Sequence, residues 1–348
     1  MALRVKLFIT GLVILIILIL VARPYLVFIK KTLKISIVKT LLSKDSLVTY
    51  DNQVNILLMG IAGGSHEGPN LSDTNIVVNY NFKTNKLTTI SIPRDIWSET
   101  LKDKINSAYA YGEAKKPNGG GFVLAKAEIE AIVGLPIQYA AVIDFQQFKE
   151  LIDFLGGIEV DVENSFVDKK FPIDGKENDE CNGDETFACR FETVSFTKGK
   201  TVMDGKTTLK FIRSRNAEGD EGTDFAREKR QQKMIDGVKN KLTKLIIKPN
   251  LKTYQQVYDL LDKLIRRDLS NQQVAIIAKN IFFKGNSKQE KILLSENFFS
   301  NPPISEEYDN LWVLIPADKT YTTVHAYIDC NLRSQSDCES LKNKGKKN

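Results

Sequence analysis

The chain has 348 residues, 42% of them hydrophobic, and a formal net charge of +6. This length and apolar content allow a sizeable core and exclude a single small domain. The first 50 residues hold eight Lys or Arg and one acidic residue, which gives them a charge of +7 and leaves −1 for the rest. Because the basic excess is confined to the N-terminus, the sequence argues against a general nucleic-acid-binding surface.

An apolar run near the N-terminus predicts a membrane anchor. Residues 7–22 read LFITGLVILIILILVA and have no polar face over four helical turns, which is typical of a transmembrane helix. A cleaved signal peptide is the alternative, but Val21, Ala22 and Arg23 before Pro24 make a poor cleavage site, so an uncleaved anchor is favoured. Basic residues flank the run on both sides, so charge does not fix its orientation.

The four cysteines indicate on which side of the membrane most of the chain lies. Cys181 and Cys189 are eight residues apart, as are Cys330 and Cys338. Local pairs of this kind favour two disulfide-closed loops in an oxidising compartment. Free thiols are one alternative and a zinc site is the other, although zinc usually needs closer pairs and the chain has only two histidines. We therefore expect a single-pass protein of the cell membrane whose bulk is extracytoplasmic.

The predicted organisation follows from these points. We expect a cytoplasmic tip at residues 1–6, the anchor at 7–22 and a juxtamembrane stalk at 23–52. One large catalytic or binding domain is expected over 53–285, with a cysteine-bearing insertion at 164–190, and residues 286–348 are expected to form a small C-terminal subregion with a basic tail. The domain begins with the buried-strand pattern VNILLMGI at 54–61. A Gly-rich loop follows that can bind phosphate through backbone N–H groups, but it lacks the spacing of a P-loop or a dinucleotide fingerprint.

The stretch from Leu71 to Asp95 organises the chain. Residues 75–80 and 87–92 are β-rich segments joined by a turn-like sequence, so they predict a hairpin or a close strand pair. Asp73 precedes the first strand, and Arg94 and Asp95 follow the second. An acid and a base can therefore converge beside one edge of a sheet.

The remaining elements alternate. Further strands are predicted over 138–143 and 158–162, and helices over 104–113, 120–133, 145–155, 204–213, 225–247, 253–265 and 271–283. Strands that alternate with helices predict an α/β fold with a sheet covered on both sides.

A second charged stretch reads FIRSRNAEGDEGTDFAREKRQQK and contains Arg213, Arg215, Arg227, Arg230 and Asp224. Such a run is often a solvated helix face. Arg213 and Arg215, however, directly follow an apolar segment, so we expect them to lie at the end of a buried element rather than on a free surface. The planar, permanently charged guanidinium suits phosphate binding.

Six motifs in the same order resemble the LytR-CpsA-Psr family of bacterial cell-wall assembly proteins over roughly residues 55–239. They read NILLMG, LSDT, SIPRD, KINSAYAYG, FKELIDFLGGIEVDV, and FIRSR followed by DFAREKRQQ. The resemblance implies a three-layer α/β/α sandwich around a mixed sheet, preceded by a transmembrane helix. It also implies transfer of an anionic glycopolymer, such as teichoic acid or capsule, from a polyprenyl pyrophosphate carrier to a hydroxyl of peptidoglycan, with Mg²⁺ assisting. The implied partners are that lipid-linked glycopolymer, peptidoglycan and membrane lipid.

The resemblance also implies roles for residues. Asp73 corresponds to a metal-binding aspartate. The residues matched to pyrophosphate binding are Arg94, Lys104, Arg213, Arg215, Arg227 and Gln231. Ala62 stands where the family commonly has a second metal aspartate, so either Asp73 holds Mg²⁺ with water and phosphate oxygens, or Glu67 replaces the missing ligand. Asp95 and Asp224 are candidate bases for the acceptor hydroxyl, and each can instead be a salt-bridge partner that orients an arginine.

Two other functions fit the same residues. A pyrophosphohydrolase would use water in place of the acceptor hydroxyl. A non-catalytic lipid-glycan binder or regulator is the second, and Ala62 is the best argument for it. The sequence shows no nucleophile-elbow motif and no triad-like histidine, so we expect Arg94, Arg213 and Arg215 to act by positioning and electrostatics.

Overall fold

The computed structural model describes residues 19–42, 47–63, 68–176, 178–247, 250–283, 288–294, 297–335 and 337–342. Residues 1–6, most of the predicted anchor, Glu67 and the basic tail beyond residue 342 lie outside these ranges. Within the described ranges, no helix combines the length and the apolar character needed to cross a bilayer.

The described strands are β1 (Gln53–Ile61), β2 (Ser72–Asn81), β3 (Lys86–Ile92), β4 (Trp97–Ser98), β5 (Asp103–Lys104), β6 (Tyr139–Asp144), β7 (Ile158–Val162), β8 (Phe166–Pro172), β9 (Phe191–Phe196), β10 (Gly199–Met203), β11 (Ile265–Arg267), β12 (Lys288–Leu293), β13 (Phe299–Ser300) and β14 (Ile315–Pro316). The described α-helices are α1 (Ile37–Leu42), α2 (Ala108–Lys115), α3 (Gly120–Val133), α4 (Phe145–Phe154), α5 (Gly205–Arg213), α6 (Asp224–Ile247), α7 (Leu251–Leu264), α8 (Asn271–Phe283), α9 (Thr322–Leu332) and α10 (Glu339–Lys342).

A six-stranded mixed sheet lies at the centre of the fold, in the order β11-β6-β1-β2-β3-β12. Strands β1 and β6 are parallel to each other, as are β3 and β12, whereas β2 and β11 run antiparallel to their neighbours. Residues 286–348 were set apart in the sequence analysis, and β12 from that region supplies an edge strand of this sheet.

The predicted hairpin is confirmed as β2 and β3, which pair antiparallel from Asn75 opposite Ile92 to Asn81 opposite Lys86. The turn follows from its sequence. The side chain of Asn81 accepts hydrogen bonds from the backbone N–H groups of Lys83 and Thr84 at 2.9 and 3.0 Å. Asn85 then adopts a φ of 56°, a left-handed conformation that asparagine tolerates well.

Helices cover both faces of the sheet. Because side chains alternate along a strand, Leu57, Met59 and Ile61 share one face, where they join a core with residues of α3 and α9. Val54 and Tyr80 lie on the opposite face and pack with Ile276 of α8. The chain is therefore a mixed α/β protein with a central mixed sheet, as the alternating pattern predicted.

The structure corrects one predicted boundary. The helix expected from Lys104 begins only at Ala108, after a 3-10 turn over Ile105–Ser107. Lys104 instead belongs to β5, where it pairs with Trp97 of β4. The apolar spacing after residue 104 is helical, but the strand pair holds Lys104 in extended conformation.

The cysteines form the two predicted local disulfides, Cys181–Cys189 and Cys330–Cys338. The predicted insertion at 164–190 is more ordered than a loop. Its first part forms β8, which pairs antiparallel with β9, and the Cys181–Cys189 bridge closes the connection between these two strands.

Candidate functional site

The topology collects polar residues at one edge of the central sheet. Since β1, β3 and β6 run in one direction, their carboxyl ends share that edge with the amino ends of β2 and β11. The loop after β1, Asp73 of β2, Arg94 after β3, Asp144 of β6 and Arg266 of β11 therefore lie along it. Ligands of open α/β sheets commonly bind beyond the carboxyl ends of the strands.

Four of the predicted residues form a chain of alternating charges at this edge. Arg94 donates a hydrogen bond to the carboxylate of Asp73, and its Nε lies 3.5 Å from Oδ2 of Asp95. The Nζ of Lys104 donates to Oδ1 of Asp95 at 2.8 Å. We call Asp73, Arg94, Asp95 and Lys104 the edge cluster. Its side chains are between 21% and 43% exposed, so a ligand can reach them from solvent.

Asp95 is held on both sides within the edge cluster. One carboxylate oxygen faces Arg94 and the other accepts from Lys104. With both oxygens engaged by cations, Asp95 orients these two side chains. This geometry supports the salt-bridge role for Asp95 over the role of base.

Gly63, at the described start of the Gly-rich loop, lies against the residue that caps α4. Gly63 has a φ of +68°, and a Cβ atom there would collide with the carboxylate of Asp144. Asp144 caps α4, because its Oδ1 accepts from the backbone N–H groups of Gln146 and Gln147 at 2.9 and 3.2 Å. Glycine is therefore required at position 63 both by backbone conformation and by close approach.

The edge cluster fits a magnesium ion only through Asp73. Among the described residues, three possible His, Cys, Asp or Glu ligands come together only at Asp179, Cys181 and Cys189, and these cysteines are disulfide-bonded rather than thiolates. Asp73 is 43% exposed and offers a carboxylate beside Arg94. Magnesium usually retains several waters and is often bound through one carboxylate plus phosphate oxygens, so this donor set is compatible with it.

Arg266 is a cation at the same edge that the sequence analysis missed. Its guanidinium lies 5.4 Å from the centre of the Tyr109 ring and donates to the side chain of Asn70, in the Gly-rich loop, at 3.4 Å. Burial raises the pKa of Tyr109, an effect that the charge of Arg266 opposes. No ion pair joins Arg266 to a carboxylate in the described part of the chain. In the sequence, Arg266 is one of two adjacent basic residues after the helix predicted over 253–265, and such a pair has no specific pattern.

The second group of predicted residues lies in the turn after α5. Arg213 ends α5 and makes two hydrogen bonds with the carboxylate of Asp174, at 3.1 and 3.4 Å. Arg215 is exposed, and its side chain forms no hydrogen bond or ion pair with another described residue. We call residues 211–216 the arginine turn.

Two buried charges lie beneath the arginine turn. Asp168 of β8 is fully buried and accepts a hydrogen bond from the hydroxyl of Ser214 at 2.6 Å. Arg230 of α6 is 4% exposed and forms an ion pair with Glu221 at 2.9 Å. Burial lowers the pKa of Arg230, while Glu221 and Asp168 act in the opposite direction. The sequence analysis did not assign a site role to either residue, because Arg230 stood within a basic run and Asp168 within a polar insertion.

The remaining predicted residues lie on α6. Arg227 is half-buried in the first turn of this helix, and Gln231 is exposed one turn later, so the i, i+4 spacing puts both on one helical face. The backbone of Asp224 begins α6, but its side chain lies outside the described part of the structure. In the described residues no hydrogen bond or ion pair joins the edge cluster to the arginine turn, so the predicted site consists of two groups.

Comparisons with known proteins identify the family to which the chain belongs. Residues 28–326 match the LytR_cpsA_psr family. The chain is 31% identical over 237 residues to a polyisoprenyl-teichoic acid–peptidoglycan teichoic acid transferase, TagU of Bacillus anthracis, which covers 67% of this chain and 66% of that protein. TagU of Bacillus licheniformis is 30% identical over 237 residues, covering 63% of this chain and 66% of its own. The matched region thus spans 66% of the length of these relatives.

A solved structure supports the fold. The crystal structure of B. subtilis TagV matches with a TM-score of 0.51 and 21% identity, covering 83% of this chain and 100% of that chain. This likeness concerns the fold alone. Because the sequence match from residue 28 to 326 contains every described strand together with the edge cluster and the arginine turn, the chain belongs to the LytR-CpsA-Psr family.

Proposed function

We propose that this chain is a membrane-anchored, extracytoplasmic phosphotransferase that moves an anionic glycopolymer from a polyprenyl pyrophosphate carrier to a peptidoglycan hydroxyl. The observation that carries the proposal is the presence of two arginine groups on one α/β domain, one of them beside an exposed carboxylate at the sheet edge. The family supports it, because the relatives are named for teichoic acid transfer to peptidoglycan.

The edge cluster would bind one end of the pyrophosphate. An incoming phosphate oxygen competes with Asp73 for the guanidinium of Arg94, which is reachable from solvent. Lys104 is held beside it by Asp95 and adds a second positive charge. Opposite charges about 4 Å apart are worth on the order of 4 kcal/mol at an effective dielectric of about 20, so these side chains can stabilise developing negative charge substantially.

The arginine turn would bind the other phosphate. Arg215 is exposed. Arg213 can exchange the carboxylate of Asp174 for a phosphate, because a carboxylate and a phosphate can each accept two hydrogen bonds from one planar guanidinium. In the reaction, the acceptor oxygen forms a bond to the glycan-side phosphorus and the bond from that phosphorus to the polyprenyl phosphate breaks. The acceptor proton goes to a base, for which Asp224 is our candidate. Mg²⁺, bound through Asp73, would supply further neutralisation of phosphate charge.

The decisive experiment uses the full chain reconstituted in lipid vesicles. It would be incubated with a polyprenyl-pyrophosphate-linked glycan, peptidoglycan fragments and Mg²⁺, and the products separated by mass. Transfer predicts polyprenyl phosphate together with glycan joined to the acceptor. Free glycan phosphate would identify a hydrolase instead. Tight binding of the lipid without turnover under any metal condition would identify a binder, the function that Ala62 favours.

The proposed topology has its own test. A reporter enzyme that is active only after export should be active when it is fused after residue 50. Activity of a reporter that works only in the cytoplasm, fused at the same position, would contradict the extracytoplasmic location.

Removal of divalent metal with EDTA, followed by Mg²⁺ addition, would test the cofactor. We expect turnover to fall with chelation and to return with the metal.

A further inference from the structure

The arginine turn is fixed to the domain through its backbone by Arg230. The Nε of Arg230 donates to the carbonyl of Phe211 at 2.9 Å, and its Nη2 donates to the carbonyl of Ser214 at 2.7 Å. Its Nη1 donates both to the carbonyl and to the carboxylate of Glu221, at 2.8 and 2.9 Å. The guanidinium also lies 4.7 Å from the centre of the Phe166 ring. All three nitrogens of Arg230 are thus engaged within the protein.

Asp168 holds the same turn from the other side. Its Oδ2 accepts from the hydroxyl of Ser214 at 2.6 Å and from the backbone N–H groups of Arg215 and Asn216 at 3.2 and 3.1 Å. Its Oδ1 accepts from the backbone N–H of Lys170 at 2.9 Å. Arg230 therefore binds carbonyl groups and Asp168 binds N–H groups of the same short segment.

The charged residues in and around the arginine turn are of two kinds, buried ones that hold its backbone and partly exposed ones that a ligand can reach. Buried charges are costly unless their hydrogen-bonding groups are satisfied, and Asp168 and Arg230 each make two of their four hydrogen bonds with the backbone of the arginine turn. The side chains of Arg213 and Arg215 project from that same backbone and remain at least partly exposed. Arg230 is consequently unavailable to a ligand, although it lies in the same basic stretch.

We propose that Asp168 and Arg230 are positioning residues that fix the directions in which Arg213 and Arg215 meet a phosphate group. The inference rests on the proposed function, since it assumes that these two arginines bind pyrophosphate. A planar guanidinium must be aligned to form paired hydrogen bonds with phosphate, so small rotations of the turn weaken binding.

The test measures binding of inorganic pyrophosphate to the full chain by calorimetry, at a temperature where circular dichroism shows every variant folded. Arg230→Lys keeps the charge but loses the planar fork, and Asp168→Asn keeps the shape but loses the charge. We expect the Kd to rise at least tenfold in both. The matched control is Lys233→Gln on the same helix as Arg230, which breaks a partly exposed ion pair with Glu163 at 2.7 Å and should change the Kd less than twofold.

A double-mutant cycle separates positioning from general stability. In an Arg213→Ala, Arg215→Ala background, Arg230→Lys should have no further effect on the Kd, because it acts through those two side chains. An undiminished effect in that background would overturn the proposal, as would a wild-type Kd in folded Arg230→Lys and Asp168→Asn. If Arg230→Lys and Asp168→Asn fail to fold, Ser214→Ala replaces them, because it removes only the hydroxyl contact with Asp168. We expect the Kd of Ser214→Ala to rise about threefold. An unchanged Kd would count against positioning.

The same data distinguish failure of the proposed function. If the Arg213→Ala, Arg215→Ala background binds pyrophosphate as tightly as wild type, the arginine turn is not a phosphate site and both conclusions fall. If that background binds weakly while Arg230→Lys and Asp168→Asn bind normally, the proposed site stands and only the positioning inference fails.

Discussion

The edge cluster and the arginine turn present cations to solvent in different ways. In the edge cluster, Arg94 and Lys104 are paired with carboxylates at the ends of strands, and every member is partly exposed. In the arginine turn, the exposed arginines stand above two charges that are almost fully buried, Asp168 and Arg230. The first group is oriented by side-chain ion pairs on a rigid sheet. The second is oriented through its backbone.

The difference follows from the supporting structure. Asp73 lies in β2 of the six-stranded sheet, Arg94 and Asp95 directly follow β3, and Lys104 lies in the β4–β5 pair. Strand pairing therefore holds the backbone at or next to these residues, and partly exposed ion pairs suffice to direct their side chains. The arginine turn consists of the last three residues of a nine-residue helix and the three residues after it. It lacks ladder neighbours on both sides, so N–H and C=O groups that the end of the helix leaves unpaired need other partners. Asp168 and Arg230 supply these partners.

The largest expected effect is on stability, where the edge cluster and the arginine turn should differ. Arg230→Met should lower the free energy of unfolding by about 3–5 kcal/mol, because it removes the donor to three backbone carbonyls and to the partly buried carboxylate of Glu221. Arg94→Ala should cost less than about 1 kcal/mol, since its ion pairs are exposed. Urea denaturation of both variants measures this contrast, and equal losses would show that the two groups are not held differently.

Transfer activity should depend on an exposed arginine in each group, unlike stability. We expect Arg94→Ala and Arg213→Ala each to reduce transfer at least tenfold, equivalent to about 1.4 kcal/mol in the barrier, with a melting temperature close to wild type. Product release from the lipid-linked glycan measures the rate. Wild-type turnover in both variants would remove these residues from the site.

A smaller effect should come from freeing Arg213. Asp174→Asn removes the carboxylate with which a phosphate must compete, and we expect the Kd for pyrophosphate to fall about threefold, consistent with the modest strength of exposed ion pairs. Glu218→Gln is the matched control, because it breaks the exposed Lys169–Glu218 pair near the same hairpin. A tighter Kd in both variants would indicate a general charge effect rather than release of Arg213.

The smallest effect concerns Arg266, which would extend the edge cluster. Arg266→Gln should raise the Kd for pyrophosphate about twofold, because a cation beside the Gly-rich loop would be lost without removing a carboxylate partner. Arg267→Gln is the control, since the adjacent side chain points to the other face and binds Asp262 and the Leu269 carbonyl. An unchanged Kd in Arg266→Gln would restrict the edge cluster to its four members.

Much of the fold could be predicted because the patterns are local. The strands of the hairpin, the buried β1, the helices α3, α4 and α8 and both disulfides follow from alternation, helical spacing and short cysteine separations. The start of α2 could not be placed, because pairing of Lys104 with Trp97 is a tertiary constraint that overrides a helical pattern. Pairing of β12 with β3 joins residues about 200 positions apart and leaves no local signal.

The sequence by itself determined which residue types stand near the ends of the elements: Arg94 after a strand, Arg213 at the end of a helix, and Asp73 near the start of a strand, where it is the second residue of β2 rather than a residue before it. Only the tertiary structure decided their partners. It paired Arg94 with Asp73, placed Asp174 on Arg213, and buried Arg230 within a basic run that otherwise looked uniform. The physical reason is that local patterns set conformation and amphipathicity, whereas the burial of a charge depends on packing between segments distant in the chain.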